Sequence, residues 1–80
     1  MNRTEMFEKL RESVVDQLDI EPEQIAEEVS FTKDLGADSL DLLQLMTALE
    51  DEFGIAIPDE DFETLDTVGD VLDEIEKLSA

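Results

Sequence analysis

The sequence contains no cysteine and no histidine. The chain therefore has no disulfide, no thiolate nucleophile, no Ser–His catalytic pair and no zinc site of the usual nitrogen and sulfur ligands. These two absences exclude most common enzyme mechanisms, and we expect neither catalysis nor a metal site.

Basic residues are scarce as well. Five Lys and Arg stand against 24 Asp and Glu, which gives a formal net charge of -19. Residues 1–33 hold four of the basic residues against nine acids, whereas residues 34–80 hold one against fifteen. Such a chain should repel nucleic acids and anionic membrane surfaces and should stay monomeric, so the expected partners are basic proteins or cations.

Long apolar runs are also missing. The 80 residues are 41% hydrophobic, but no apolar run approaches the roughly 18 residues that a membrane span needs. Length and composition predict one domain over residues 1–80 with a thin core, because a chain of this size buries only about 60% of its unfolded surface. The N-terminal residues do not resemble a secretory signal, so we expect a cytoplasmic protein without stable membrane insertion.

Helical periodicity dominates the chain. Apolar residues at helical spacing predict helices over residues 4–18 and 40–53, the second ended by Gly54. Pro and acidic residues predict a short helix at 59–63, and Thr67 can cap a last helix. The predicted fold class is all-α, a small four-helix bundle of three longer helices and one short one.

The connection between the first two long helices, residues 19–38, has no sustained period. Pro22 predicts a single helical turn within it. Connections of about 20 residues are uncommon in compact domains unless they are functional or partly structured. We therefore expect a long loop between helices 1 and 2 that is tethered by its apolar residues, which are Ile25, Val29, Phe31 and Leu35.

The second long helix has two apolar faces. A stripe at helical spacing predicts its core face, and it consists of Leu42, Leu45, Met46, Leu49 and Phe53. Leu40, Leu43 and Thr47 lie on another side, and a thin bundle can hardly bury both faces. The second face is either the edge of a broad core or a partner surface with an acidic rim.

Ser39 stands where this helix begins. A Ser at a helix start is ordinarily an N-cap. Asp38 can cap instead, with Asp41 as the third helical residue of a capping box, and the Ser39 hydroxyl is then free. A phosphodiester on that hydroxyl would lie beside the unpaired amides and the positive end of the helix dipole.

The octapeptide Asp34-Leu35-Gly36-Ala37-Asp38-Ser39-Leu40-Asp41 closely resembles the signature of acyl carrier proteins. Matching segments follow at family spacing over nearly the whole chain, and they are Ala48-Leu49-Glu50, Glu52-Phe53, Ile57-Pro58-Asp59-Glu60 and Thr67-Val68. The resemblance implies that a phosphopantetheinyl transferase attaches 4'-phosphopantetheine from coenzyme A to Ser39. It also implies a carrier that holds growing acyl chains as thioesters on the arm and presents them to fatty-acid synthesis enzymes.

The same resemblance implies two further sets of residues. Acyl chains would be sheltered between the helices by a lining that consists of Phe31, Leu45, Met46, Leu49, Phe53, Leu65 and Leu72. Partner enzymes with basic docking patches would be recognised by a surface that consists of Asp38, Leu40, Asp41, Leu43, Gln44, Thr47, Glu50, Asp51 and Glu60.

The chain departs from the family pattern at three positions on the recognition helix. Gln44 stands where Glu is usual, Leu42 where a small or polar residue is common, and Thr47 where an apolar residue often lies. These departures leave the attachment residue untouched and put the identity of the partner enzymes in question. Leu42 could also narrow the acyl cavity.

Three other interpretations stay open at this point. Asp59, Asp61 and Glu63 resemble the start of a calcium loop with Asp70 at its twelfth position, but Thr64 occupies the place that needs Gly. Calcium-selective binding would distinguish that site from diffuse charge relief. An acidic mimic of nucleic acid would explain the charge and leave the octapeptide unexplained. Carriers of aminoacyl or peptidyl groups share the arm chemistry and generally have a less acidic surface.

Overall fold

The computed structural model of the protein describes residues 2–79. Within this range lie three α-helices, α1 (Arg3–Leu18), α2 (Ser39–Phe53) and α3 (Val68–Ser79), and a short 3-10 helix (Asp59–Thr64) that precedes α3. The predicted bundle of three longer helices and one short one is confirmed. No helix of the described range is both long and apolar enough to cross a membrane.

Local hydrogen bonds close both ends of α1. The Asn2 side chain accepts a hydrogen bond from the backbone N–H of Glu5 at 2.9 Å, which satisfies one of the free amides of the first turn. At the other end Asp19 is left-handed with φ 55°, and its N–H donates to the carbonyl of Val15. The helix begins one residue before the predicted start and ends at the predicted residue.

The loop of residues 19–38 contains the 3-10 turn expected after Pro22 and is attached to the start of α3. Ser30 forms an isolated antiparallel bridge with Thr67. The N–H of Gly69 donates to the carbonyl of Glu27 at 2.8 Å. A Cβ at Gly69 would lie 3.1 Å from that oxygen, so a larger residue would push the loop away. A bridge of one residue pair is too short to produce the alternation of apolar and polar residues that marks a strand. The sequence therefore did not predict it.

The three α-helices and the loop share one apolar core. Its fully buried large side chains are Leu10, Val14, Phe31, Leu45, Leu49, Val68, Val71, Leu72 and Ile75. Two residues of the predicted core stripe of α2, Leu42 and Phe53, are only half-buried. Leu42 faces a surface pocket and Phe53 is the last residue of its helix, so neighbouring elements cover neither of them completely.

Candidate functional site

Ser39 is the first residue of α2, and its side chain is exposed. The Asp38 carboxylate accepts a hydrogen bond from the Asp41 N–H at 2.9 Å, and the Asp41 carboxylate accepts one from the Asp38 N–H at 3.2 Å. Of the two capping arrangements open from the sequence, the structure has the capping box, and Asp38 rather than Ser39 caps the helix. Among residues 2–79 the Ser39 hydroxyl has no hydrogen-bond partner.

The backbone just before Ser39 is held in place by a glycine turn and by a hydrogen bond to a core residue. Gly36 has φ 69°, a left-handed conformation that L side chains rarely adopt. The next residue, Ala37, is buried, and its N–H donates to the carbonyl of Phe31 at 2.9 Å. These contacts fix the start of α2, and Ser39 itself stays exposed.

The start of α2 suits an anion attached to Ser39. The first amides of a helix lack intrahelical partners, and the helix dipole adds partial positive charge at that end. Asp38 and Asp41 oppose this effect, although their carboxylates are held by the capping box. An exposed hydroxyl that neither caps the helix nor bonds elsewhere within residues 2–79 fits a phosphopantetheine arm.

An apolar pocket opens beside Ser39. Its volume is about 240 Å³. Residues from α2 and from the segment that follows it form the lining, which consists of Ser39, Leu42, Leu43, Met46, Phe62, Glu63 and Leu65. Ser39 and a space for an apolar group therefore lie together.

The predicted acyl-lining residues do not all border the pocket. Met46 and Leu65 line the pocket. Four others are fully buried in the core, and they are Phe31, Leu45, Leu49 and Leu72, while Phe53 is half-buried. Sequence reasoning missed Phe62 and Glu63, although one aromatic residue in an otherwise acidic and polar short helix was an available signal. The assignment of residues that contact an acyl chain stays a prediction.

The second face of α2 is not covered. Leu40 is 61% exposed and Leu43 is 49% exposed, and they are the exposed large apolar residues of the described chain. The Thr47 hydroxyl donates to the Leu43 carbonyl at 2.9 Å within the same helix. Of the two interpretations of this face, the structure supports an open surface rather than a broad core.

Acidic and polar side chains surround this open surface. Asp38, Gln44 and Asp51 are exposed on α2 or at its start, and Glu60 is exposed on the short helix. Asp41 and Glu50 are half-buried, and the Glu50 carboxylate accepts a hydrogen bond from the Ile57 N–H at 2.7 Å. Glu50 thus also has a structural role, because it holds the segment that leaves α2.

The calcium-loop pattern is divided between two helices. Asp59, Asp61 and Glu63 lie on the short helix, whereas Asp70 lies on α3 and accepts hydrogen bonds from the N–H groups of Asp66 and Thr67. Within residues 2–79, no three acidic side chains converge in an arrangement that could hold a metal ion.

Comparison with known proteins agrees with this site. The family model described as "Phosphopantetheine attachment site" matches residues 8–75. The chain is 55% identical to an acyl carrier protein of Thermosynechococcus vestitus over 73 residues, which are 91% of this chain and 90% of that protein. It is 52% identical to an acyl carrier protein of Wolinella succinogenes over 71 residues, which are 89% of this chain and 93% of that protein.

A solved structure shows the same fold. The acyl carrier protein of Enterococcus faecalis superimposes with a TM-score of 0.81 at 38% identity, over 99% of this chain and 100% of that one. The bundle and the family match together define a carrier with a covalently attached arm. The chain belongs to the acyl carrier protein family, and its cofactor is 4'-phosphopantetheine.

Proposed function

We propose that a phosphopantetheinyl transferase attaches the arm to Ser39 and that the protein presents growing acyl chains to fatty-acid synthesis enzymes in the cytoplasm. The observation that carries this proposal is the exposed Ser39 hydroxyl, which is free of the capping box and borders an apolar pocket. The attached arm supplies a terminal thiol that binds acyl groups as thioesters. The chain itself acts as a monomeric carrier without catalytic activity.

The surface of α2 supports docking to basic enzymes. The net charge of -19 attracts a positively charged partner and speeds encounter, while exposed Leu40 and Leu43 supply apolar contact. Charges at the rim of an interface act mainly on the association rate. Such complexes form and dissociate quickly, which suits a carrier that visits several enzymes in turn.

The pocket beside Ser39 supports shelter of the first part of an acyl chain. Leu42, Met46 and Leu65 present apolar surface there. Leu45 and Leu49 lie deeper in the closed core, so a longer chain would reach them only if the helices moved apart. Leu42 is one of the departures from the family pattern, and its place in the lining supports a role in limiting the pocket.

The proposal is tested by loading the apo protein with an acyl-coenzyme A and a phosphopantetheinyl transferase. We expect one acylated arm per chain, release of the acyl group by neutral hydroxylamine, which cleaves thioesters, and unloading by a fatty-acid condensing enzyme. Leu40→Ala should slow unloading by the enzyme and leave hydroxylamine release unchanged, whereas Gln17→Ala, at an exposed position of α1, should change neither. An acylated protein that no fatty-acid enzyme unloads would contradict the proposal.

A further inference from the structure

Glu63 is the charged residue in the lining of the pocket beside Ser39. No Lys or Arg of the described range lines this pocket of about 240 Å³. Apart from the Ser39 hydroxyl, the rest of the lining is apolar and consists of Leu42, Leu43, Met46, Phe62 and Leu65. The pocket is therefore an apolar space with one negative charge in its lining.

Within residues 2–79, no cation is paired with Glu63. The residue is exposed on the short helix, and its side chain forms neither an ion pair nor a hydrogen bond with the described part of the chain. Other acids do have such partners, and Glu52 Oε1, for example, lies 3.7 Å from Lys9 Nζ. The formal negative charge of Glu63 can therefore act on a group that enters the pocket.

The residues beside Ser39 carry charge of the same sign. Asp38 and Asp41 are acidic, and the whole chain has a net charge of -19. A phosphodiester on Ser39 would take the favourable place beside the first amides of α2 and would add a further negative charge. Because no Lys or Arg of residues 2–79 lines the pocket, a second anion that entered it would be repelled.

Acyl groups with and without a terminal charge would respond differently to this lining. A neutral alkyl chain gains free energy with each methylene group that it buries against apolar surface. A chain that ends in a carboxylate must instead remove that group from water and bring it towards the like charge of Glu63. Desolvation of the carboxylate would occur in any apolar pocket, whereas the repulsion depends on Glu63.

We propose that Glu63 is a specificity-determining residue, which makes the pocket shelter neutral acyl groups and leave acyl groups with a terminal carboxylate in solvent. The inference deepens the proposed function and rests on it, because the acyl group reaches the pocket through the arm on Ser39. Monothioesters of dicarboxylic acids then stay exposed and accessible to enzymes, while neutral chains of the same length are held in the pocket.

The test compares two six-carbon acyl groups on the full chain. A broad-specificity phosphopantetheinyl transferase loads Ser39 from hexanoyl-coenzyme A or from adipoyl-coenzyme A, in which a carboxylate replaces the terminal methyl group, and intact mass confirms loading. The NMR shift of the Met46 methyl group reports occupancy of the pocket, and the methyl group of Met6, which is buried in α1 and does not line the pocket, is the internal reference. We expect hexanoyl to shift the Met46 signal and adipoyl to leave it close to its position in the unacylated holo protein.

Three variants isolate the charge of Glu63. Glu63→Gln keeps the size of the side chain, and it should raise the ratio of sheltered to exposed adipoyl about two- to fivefold, the effect of one exposed charge pair. Glu63→Lys should raise this ratio further, and it provides the test if Glu63→Gln does not fold. Asp59→Asn removes an equal charge from an exposed position of the same helix that does not line the pocket, and it should leave the ratio unchanged. Added salt should raise the adipoyl ratio more in wild type than in Glu63→Gln, because ions screen the repulsion.

Failure of this inference differs from failure of the proposed function. If hexanoyl shifts the Met46 methyl signal but both Glu63 variants leave the adipoyl ratio unchanged, Glu63 does not determine specificity and only the inference is wrong. The same conclusion follows if Asp59→Asn raises the ratio as much as Glu63→Gln does, or if adipoyl occupies the wild-type pocket as fully as hexanoyl. A folded protein that is not loaded at Ser39, or whose Met46 methyl signal does not respond to hexanoyl, would contradict the proposed function and the inference with it.

Discussion

At the scale of single residues, neighbouring leucines of α2 perform different tasks. Leu43 is 49% exposed on the open surface, whereas Leu45 is fully buried among core side chains. Both are leucines of the same helix, so a comparison between them separates burial from residue type. Their surroundings predict opposite effects on stability and on docking.

Leu45→Ala should lower the free energy of unfolding by about 2–5 kcal/mol, because it removes buried methyl groups and leaves a cavity. Leu43→Ala should change it by no more than about 0.5 kcal/mol and should weaken binding to a basic partner enzyme. Urea unfolding and binding measurements on both variants check this contrast. Equal losses of stability would show that the open surface of α2 is part of the core.

At the scale of elements, the start of α3 is fixed by a reciprocal pair of hydrogen bonds. The N–H of Asp70 donates to Thr67 Oγ1 at 3.1 Å, and the Asp70 carboxylate accepts from the N–H of Thr67 at the same distance. The N–H groups of Thr67 and then Asp66 lower the pKa of Asp70. The acid that completes the calcium-loop pattern is therefore a helix-capping residue.

Asp70→Ala should cost about 1 kcal/mol at neutral pH, the usual size of a lost cap. Because the pKa of Asp70 is lowered from its ordinary 3.8, its contribution is present above that value and is lost as the pH falls through the native pKa. The difference between wild type and Asp70→Ala in urea unfolding should therefore shrink in acid. Asp16→Ala, at an exposed position of α1, should show no such convergence, and a constant difference for Asp70→Ala would refute the assignment.

Arg3 links three elements through its guanidinium group. It bonds Glu27 of the loop through two nitrogens, at 2.6 and 3.2 Å, and its Nη1 lies 2.9 Å from both Asp73 and Glu76 of α3. The hydrogen bonds that the guanidinium donates to these carboxylates raise the pKa of Arg3, the bond to Glu27 most, and the same bond lowers the pKa of Glu27. The network therefore attaches the start of α1 to α3 and to the loop.

Arg3→Gln should lower the melting temperature more than Arg11→Gln, because the Arg11 guanidinium lies over the Phe7 ring, 5.6 Å from its centroid, and forms no ion pair among residues 2–79. Both variants change the net charge equally, so their difference reports the network. Added salt should reduce that difference, since the groups are partly exposed and ions screen them. Identical melting of the two variants at low salt would contradict this role.

The sequence predicts the bounds of the helices better than the contacts between them. The α1 and α2 boundaries follow from apolar periodicity, from the Asp38–Asp41 box and from Gly54, all of which are local signals. The bridge between Ser30 and Thr67 and the position of Phe62 in the pocket wall depend on how distant segments pack. No local pattern encodes that packing, so these features required the structure.

At the scale of the whole molecule, the main feature is the net negative charge of -19. Twenty-four acidic residues on a chain of 80 repel one another, and only five basic residues offset them. This repulsion destabilises the compact state at low ionic strength. In the proposed function the same charge attracts basic enzymes, so stability and partner choice would be linked.

Added salt should therefore raise the melting temperature, because ions at about 1 M shorten the screening length to about 3 Å. Divalent cations should act at lower concentration, and calcium and magnesium should act alike if the effect is diffuse charge relief. Thermal unfolding followed by circular dichroism checks this. Unchanged melting from low to high ionic strength would contradict the account.

The most direct test of the central claim is the intact mass of the protein after incubation with coenzyme A and a broad-specificity phosphopantetheinyl transferase. Wild type and Ser13→Ala should each gain the mass of one phosphopantetheine group, because Ser13 lies within α1 and does not line the pocket beside Ser39. Ser39→Ala should fold and gain none. No gain by folded wild type, or an equal gain by Ser39→Ala, would contradict the assignment of Ser39 as the carrier residue.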